Sequence, residues 1–313
     1  MREQILSSGL IVPALESQSH EQEWLDDKLL LPPEHFSVED TLHGANVDVA
    51  YQPVGRDLTD EAILISPGFS AGKSTMRLLQ IALAQHGFPS YALTHHRSHN
   101  SRYPIQETHA YNDLAVMHEA FFRHGFKKFN IVGWSMGGGD GAHATEASNN
   151  TENDIVKHLI VLNSMGLIEG NNFNKTANGM VRELAYDAIL IKDLPFRKKL
   201  KLATYAADSA RRLSTNFTQT QHEATFASSF DIRELLAELI KHGLKVSIIN
   251  SENDRAFNPV QSFEDTSELM LEARVYILGR WATHLSGLFV PSTTAQAIIL
   301  SINSFDNTSF TQP

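Results

Sequence analysis

A serine flanked by glycines is the first feature with chemical content. Gly133-Trp134-Ser135-Met136-Gly137 has the G-x-S-x-G spacing of a nucleophile elbow, a sharp strand-to-helix turn that presents a serine hydroxyl. The apolar run Phe129-Asn130-Ile131-Val132 leads into it, and Gly137, Gly138 and Gly139 open the helix that leads out. Such a turn puts the serine in a strained backbone conformation in which neighbouring side chains would collide. Gly133 and Gly137 remove those collisions, and Ser135 then sits at the positive end of the helix dipole.

A serine hydroxyl needs a base to take its proton, and the base needs an acid to orient it. In elbow-type proteins the chain order is serine, acid, histidine. Asn250-Ser251-Glu252-Asn253-Asp254-Arg255 follows an apolar strand run, with Pro259 just beyond. Asp254 is the expected acid and Glu252 the alternative in the same loop. Gly279-Arg280-Trp281-Ala282-Thr283-His284 follows the last strand run. A histidine alone says little in a chain that has 15. His284 is distinguished by its place, in the right order and on the right side to be the base.

Two other readings of the sequence fail. Gly68-Phe69-Ser70-Ala71-Gly72-Lys73-Ser74 looks like a phosphate-binding loop, but that motif needs four residues between its glycines, and only Phe69, Ser70 and Ala71 stand there. No histidine pair at helical spacing has the carboxylate context of a zinc site. No metal and no cofactor are expected.

The elements that must position these groups alternate between strand and helix. Ala62–Ile65, Tyr91–Leu93, Phe129–Val132, His158–Asn163, Lys245–Asn250 and Arg274–Leu278 are short apolar runs of buried-strand length. Asn46–Pro53 alternates and is weakly strand-like. Helical stretches fall at Met76–Leu83, Gln106–His124, Ala142–Ser148, Ile232–His242, Pro259–Leu271 and Gln296–Asn303, with Ala115, Val116, Phe121 and Phe122 expected to face inward. Strands alternating with helices imply parallel pairing through helical crossovers. The strands of a sheet buried on both faces read as solid apolar runs. The rhythm breaks from Leu167 to Ser229, where the pattern is helical throughout. The expected organisation is an N-terminal extension over 1–40, a core over 41–166 and 230–313, and a helical insertion over 167–229. There is no internal repeat.

The elbow GWSMGG at Gly133–Gly138, the segment NSENDRAFNP at Asn250–Pro259 and the loop bearing His284 together resemble the α/β-hydrolase family, over about Asn46 to Asn303. The resemblance implies an α/β fold with a mostly parallel central sheet flanked by helices, and an acyl-enzyme formed on Ser135. It implies an oxyanion hole made of two backbone N–H groups, from Met136 and from Phe69 in the loop Pro67-Gly68-Phe69. Backbone donors suit that task because they are fixed before charge develops. The insertion resembles the family's lid, and Met165, Phe173, Met180, Leu184, Tyr186, Leu190 and Phe226 could line its pocket or simply pack. Two loops depart from the family pattern. Pro67-Gly68 stands where His-Gly is frequent, and Arg97-Ser98-His99-Asn100-Ser101 stands where an Arg-Gly-His-Gly-x-Ser-like loop is frequent. No triple-glycine oxyanion motif is present, which makes bulky tertiary-alcohol esters poor candidates. The expected activity is hydrolysis of a carboxylic ester or thioester. Acyl transfer by the same residues and a non-catalytic receptor are the alternatives. An aspartate-nucleophile dehalogenase or epoxide hydrolase is disfavoured by Ser135.

Composition narrows the field further. At about 150 residues per domain, 313 residues make two domains or one large one. Hydrophobic residues are 42% and charged residues 20%, ordinary for a globular protein. With 26 Lys and Arg against 36 Asp and Glu, the net charge is -10, which disfavours nucleic acid as a partner. The absence of cysteine excludes disulfides and thiolate chemistry. No apolar run reaches the length of a membrane span. The apolar stretch near the N-terminus is broken by Ser7, Ser8 and Gly9 and lacks a small-x-small cleavage site, so no stable membrane insertion and a cytoplasmic location are expected. A small-molecule ester or thioester is the expected partner. The insertion is net positive, with nine Lys and Arg against six Asp and Glu. Its knot Arg197-Lys198-Lys199 with Lys201 is expected to be a solvated helix face rather than an anion-steering patch.

Overall fold

The computed structural model describes residues 11–15, 31–40, 45–54, 60–68, 71–96, 105–149, 155–169, 231–267, 273–279 and 282–306. In the insertion it describes Lys175, Asn178, Gly179, Arg182, Glu183, Tyr186, Lys199, Ala203 and Ala207, all helical. The strands are β1 (Ile11–Leu15), β2 (Glu34–Asp40), β3 (Ala45–Gln52), β4 (Glu61–Ser66), β5 (Ser90–His96), β6 (Lys128–Trp134), β7 (Val156–Leu162), β8 (Lys245–Ser251) and β9 (Arg274–Leu278). They form one sheet in the order β1-β9-β8-β7-β6-β4-β5-β3-β2. Pairing is parallel from β1 through to β5, while β3 runs antiparallel to both β5 and β2.

The helices are α1 (Arg77–Gln85), α2 (Ile105–His124), α3 (Gly137–Asn149), α4 (Arg233–Lys241), α5 (Pro259–Ser267), α6 (Ser286–Phe289) and α7 (Pro291–Asp306). The two-residue alternation of each strand divides the core into two layers. Leu64, Ile131, Leu159 and Val161 face one side and pack with residues of α2, α3 and α4. Ile63, Ile65, Val132, Ile160 and Leu162 face the other and pack with α1 and α7. All nine are essentially inaccessible to solvent, which is why β4, β6 and β7 carry no solvent-facing polar side. Burying each such side chain is worth about 1.5–3 kcal/mol. Among the described residues, no helix is long and apolar enough to cross a membrane.

Three features differ from the sequence reading. The segment ahead of the core supplies two strands: β1 pairs with β9 at one edge, and β2 pairs along its whole length with β3 at the other. On α2, Val116 is buried as expected and Ala115 half-buried, but Phe121 and Phe122 are 48% and 78% exposed. Ala110, Leu114, Met117 and Ala120 hold the inward stripe instead, and Phe122 lies about 200° around the helix from Ala120. The last helix begins at Pro291, where a fixed φ and a missing N–H suit the first helical position.

Candidate active site

The elbow is built as its residue types require. β6 ends at Trp134, α3 begins at Gly137, and Ser135 between them has φ 55°. For a residue with a side chain this left-handed conformation costs of order 1–3 kcal/mol. Hydrogen bonds hold it there. Ser135 N–H donates to Leu162 O at 3.0 Å, and Ser135 O accepts from Gly138 N–H at 3.1 Å, Met165 N–H at 3.3 Å and Ser164 Oγ at 2.9 Å. A Cβ on Gly133 would enter the backbone of Gly137 and Gly138, and one on Gly137 would strike Ser66 O and lie 2.7 Å from Pro67 O. Alanine in place of glycine ordinarily favours a helix by about 0.5–1 kcal/mol. Gly137→Ala is expected to reverse that sign and destabilise by about 2 kcal/mol or more, since the obstructing atoms are backbone. A thermal or urea melt checks this.

Three loops at the ends of β6, β8 and β9 converge on one line of side chains. His284 Nε2 lies 3.0 Å from Ser135 Oγ, and His284 Nδ1 lies 3.0 Å from Asp254 Oδ2. The other carboxylate oxygen of Asp254 accepts the N–H groups of Ala256 at 2.9 Å and Phe257 at 2.8 Å. All three side chains are buried. The structure therefore joins Ser135, His284 and Asp254 in the expected order. It does not bring Glu252 into the series; the described contact there is its N–H on Leu278 O at 2.8 Å. Met136 follows the serine at the head of α3, and Phe69 lies outside the described residues.

The histidine loop is anchored by residues that sequence patterns did not single out. Asn163, at φ 45° just after β7, accepts Ser251 N–H on Oδ1 at 2.7 Å. Its two amide hydrogens are shared among Ser251 Oγ, Thr283 O, His284 O and Ser286 Oγ at 2.9–3.2 Å. Asparagine tolerates the left-handed conformation better than most residues. Trp134 Nε1–H donates to His284 O at 2.9 Å. Glu183, from the insertion, accepts His284 N–H on Oε1 at 2.6 Å and Arg255 N–H on Oε2 at 2.7 Å. Burial, then the charge of Asp254, pushes its carboxyl above the usual range; the two N–H donors and His284 pull it back. A lone carboxylate inside a helical stretch carries no local signal of such a role.

Behind α3 a second buried cluster joins β5 and α2. His109 Nδ1 is 3.1 Å from Asp140 Oδ2, and His95 Nε2 is 3.4 Å from Asp113 Oδ1. Burial, then the charge of Asp140, holds the Asp113 carboxyl well above its ordinary range. Ligand atoms of His95, His109 and Asp140 lie within 4.8 Å of one another. The two imidazoles, however, stack 4.3 Å apart and within 14° of parallel. An ion in the plane of one ring lies off the plane of the other, so their lone pairs do not converge on one metal.

No protein-family model and no curated protein matches the chain. Solved structures do. A bacterial membrane phospholipase A is similar at TM-score 0.63 and 16% identity, over 88% of this chain and 87% of that one. A meta-cleavage product hydrolase from Pseudomonas fluorescens IP01 is similar at TM-score 0.61 and 16% identity, over 86% and 98%. An esterase from Exiguobacterium antarcticum is similar at TM-score 0.59 and 12% identity, over 86% and 100%. The chain has the α/β-hydrolase fold.

Proposed function

We propose that this protein is a serine hydrolase that cleaves a carboxylic ester or thioester through an acyl-enzyme on Ser135. The observation that carries the reading is the unbroken series Ser135 Oγ, His284 Nε2, His284 Nδ1 and Asp254 Oδ2, linked by two contacts of 3.0 Å on a strained elbow. In the proposed reaction His284 takes the hydroxyl proton as Ser135 Oγ attacks the acyl carbon. His284 then gives the proton to the leaving alkoxide or thiolate. Water repeats the sequence on the acyl-enzyme and releases the acid. Asp254 fixes the imidazole tautomer and stabilises its cationic form, while its own charge is held by two backbone N–H groups. Met136 N–H and Phe69 N–H are assigned to the oxyanion. The phospholipase and esterase among the similar structures agree with this choice of substrate class. Met136, Met165, Ile168 and Phe257 form a buried apolar cluster beside the serine, which favours an apolar acyl group.

A panel of p-nitrophenyl esters of rising acyl length tests the reading, alongside acyl thioesters. Turnover of some member and a chain-length optimum are expected; no turnover of any ester or thioester would refute it. The base must be neutral to accept the proton. On the rising limb, kcat/KM is therefore expected to increase with pH through an apparent value of about 6–7.5. A profile flat from pH 5 to 9, with the chemical step rate-limiting, would contradict a histidine base.

A further inference from the structure

We propose that Glu183 is a positioning residue for the triad, so that a residue of the 167–229 insertion helps to set the geometry of the catalytic groups. The inference rests on the triad reading above. One carboxylate bridges the two loops that must stay in register: Oε1 takes the N–H of the base itself, His284, and Oε2 takes the N–H of Arg255, which follows the acid. Both bonds go to backbone, so they fix where the loops run rather than which side chains they carry. The bridge spans parts of the chain far apart in sequence, at 183, 255 and 284, and it adds a tie beyond the β8–β9 pairing and the Asn253 N–H bond to Ala282 O at 3.2 Å, which set the acid and histidine loops side by side.

The surrounding contacts show that the insertion is docked there. Gly179 lies one helical turn before Glu183, and a Cβ on it would lie 2.6 Å from Ala256 O. Only glycine lets the helix backbone come this close to the acid loop. Tyr186, three residues beyond Glu183, stacks under the Arg255 guanidinium at 4.2 Å. Positions 179, 183 and 186 share one helix face, and that face meets the loop of Asp254. Glu183 is buried, at 2% exposure, so its charge acts on nearby groups with little screening. Among the described residues, the titratable groups acting on it are Asp254 from the acid loop and His284 from the histidine loop, while Arg255 meets it through its backbone N–H and sets its guanidinium over Tyr186.

The consequence differs from that of a plain structural clip. Loosening the bridge lets the imidazole shift against Ser135 and Asp254, and a displacement near 1 Å can cost on the order of 10²-fold in rate. Removing the negative charge also weakens the cationic form of His284, which lowers its apparent pKa. Glu183→Gln keeps the shape but leaves an amide donor facing one of the two N–H groups. It is expected to lower kcat for p-nitrophenyl acetate by about 10- to 100-fold, with KM within about threefold. The rising limb of its kcat/KM profile is expected to move to lower pH. Gly179→Ala retains the charge but pushes the helix off Ala256; it is expected to lower kcat without that shift in the limb.

The rate of fluorophosphonate labelling at Ser135, measured with the kinetics, separates the outcomes. A slowly labelled Glu183→Gln beside a rapidly labelled wild type supports the proposal. Wild-type labelling rate, kcat and pH limb in Glu183→Gln, with only a lower melting temperature, would overturn it and leave Glu183 a simple clip. If Glu183→Gln does not fold, Gly179→Ala decides, and an unchanged kcat in that variant overturns the proposal. A wild type that takes no label refutes the triad reading itself.

Discussion

Ser135→Ala is expected to lose about three to six decades of kcat while the fold melts within a few degrees of wild type. The lost hydroxyl is the atom proposed to form the covalent intermediate, so the variant keeps binding and oxyanion donors but has no acylation route. Stability should change little, because the elbow is held through Ser135 N–H and O rather than through Oγ. His284→Ala is expected to cost a comparable amount, and Ser135→Ala/His284→Ala little more than either alone, because the two act as a unit. Retention of more than a tenth of wild-type turnover by Ser135→Ala would refute the elbow assignment.

Asp254→Asn is expected to lower kcat by roughly 10²–10⁴-fold. The amide can still accept from Ala256 N–H and Phe257 N–H on its oxygen, so the loop should keep its shape. Its NH2 then meets His284 Nδ1 and favours the tautomer with the proton on Nε2. That tautomer cannot accept from Ser135. Glu252→Gln is expected to stay within about threefold of wild type, as for sites outside the hydrogen-bonded series. Steady-state kinetics of the two variants, compared at the plateau of the pH profile, ranks them; the reverse ranking would move the acid to Glu252.

The central sheet was legible because a parallel sheet buried on both faces fills its strands mostly with apolar residues, so Ala62–Ile65 and His158–Asn163 read as strands directly. Edge strands lack that signature. In β2 only Phe36 and Val38 pack toward the core, and the pairing of Glu34–Asp40 with β3 is made by backbone that any sequence supplies. Adjacent aromatics misled at Phe121 and Phe122. Their bulk suggested burial, while helical phase had already given the inward stripe to smaller residues.

The site divided in the same way. Ser135 carries a local motif, and Asp254 and His284 follow from chain order, so all three could be placed. Asn163 and Glu183 act on loops distant in sequence, Asn163 through backbone groups and serine hydroxyls and Glu183 through two backbone N–H groups, and which loop a side chain will meet depends on tertiary docking. No spacing rule in one sequence encodes it. Likewise the helical periodicity of the insertion announced helices, but Gly179 became informative only once Ala256 O was found against it.

The most direct test of the central claim is peptide mapping of the folded protein after reaction with a fluorophosphonate. The account predicts one phosphonyl adduct per chain, on Ser135, formed faster as pH rises through the base's titration and absent after heat denaturation. An unlabelled protein, or an adduct on another serine with Ser135 untouched, would contradict it.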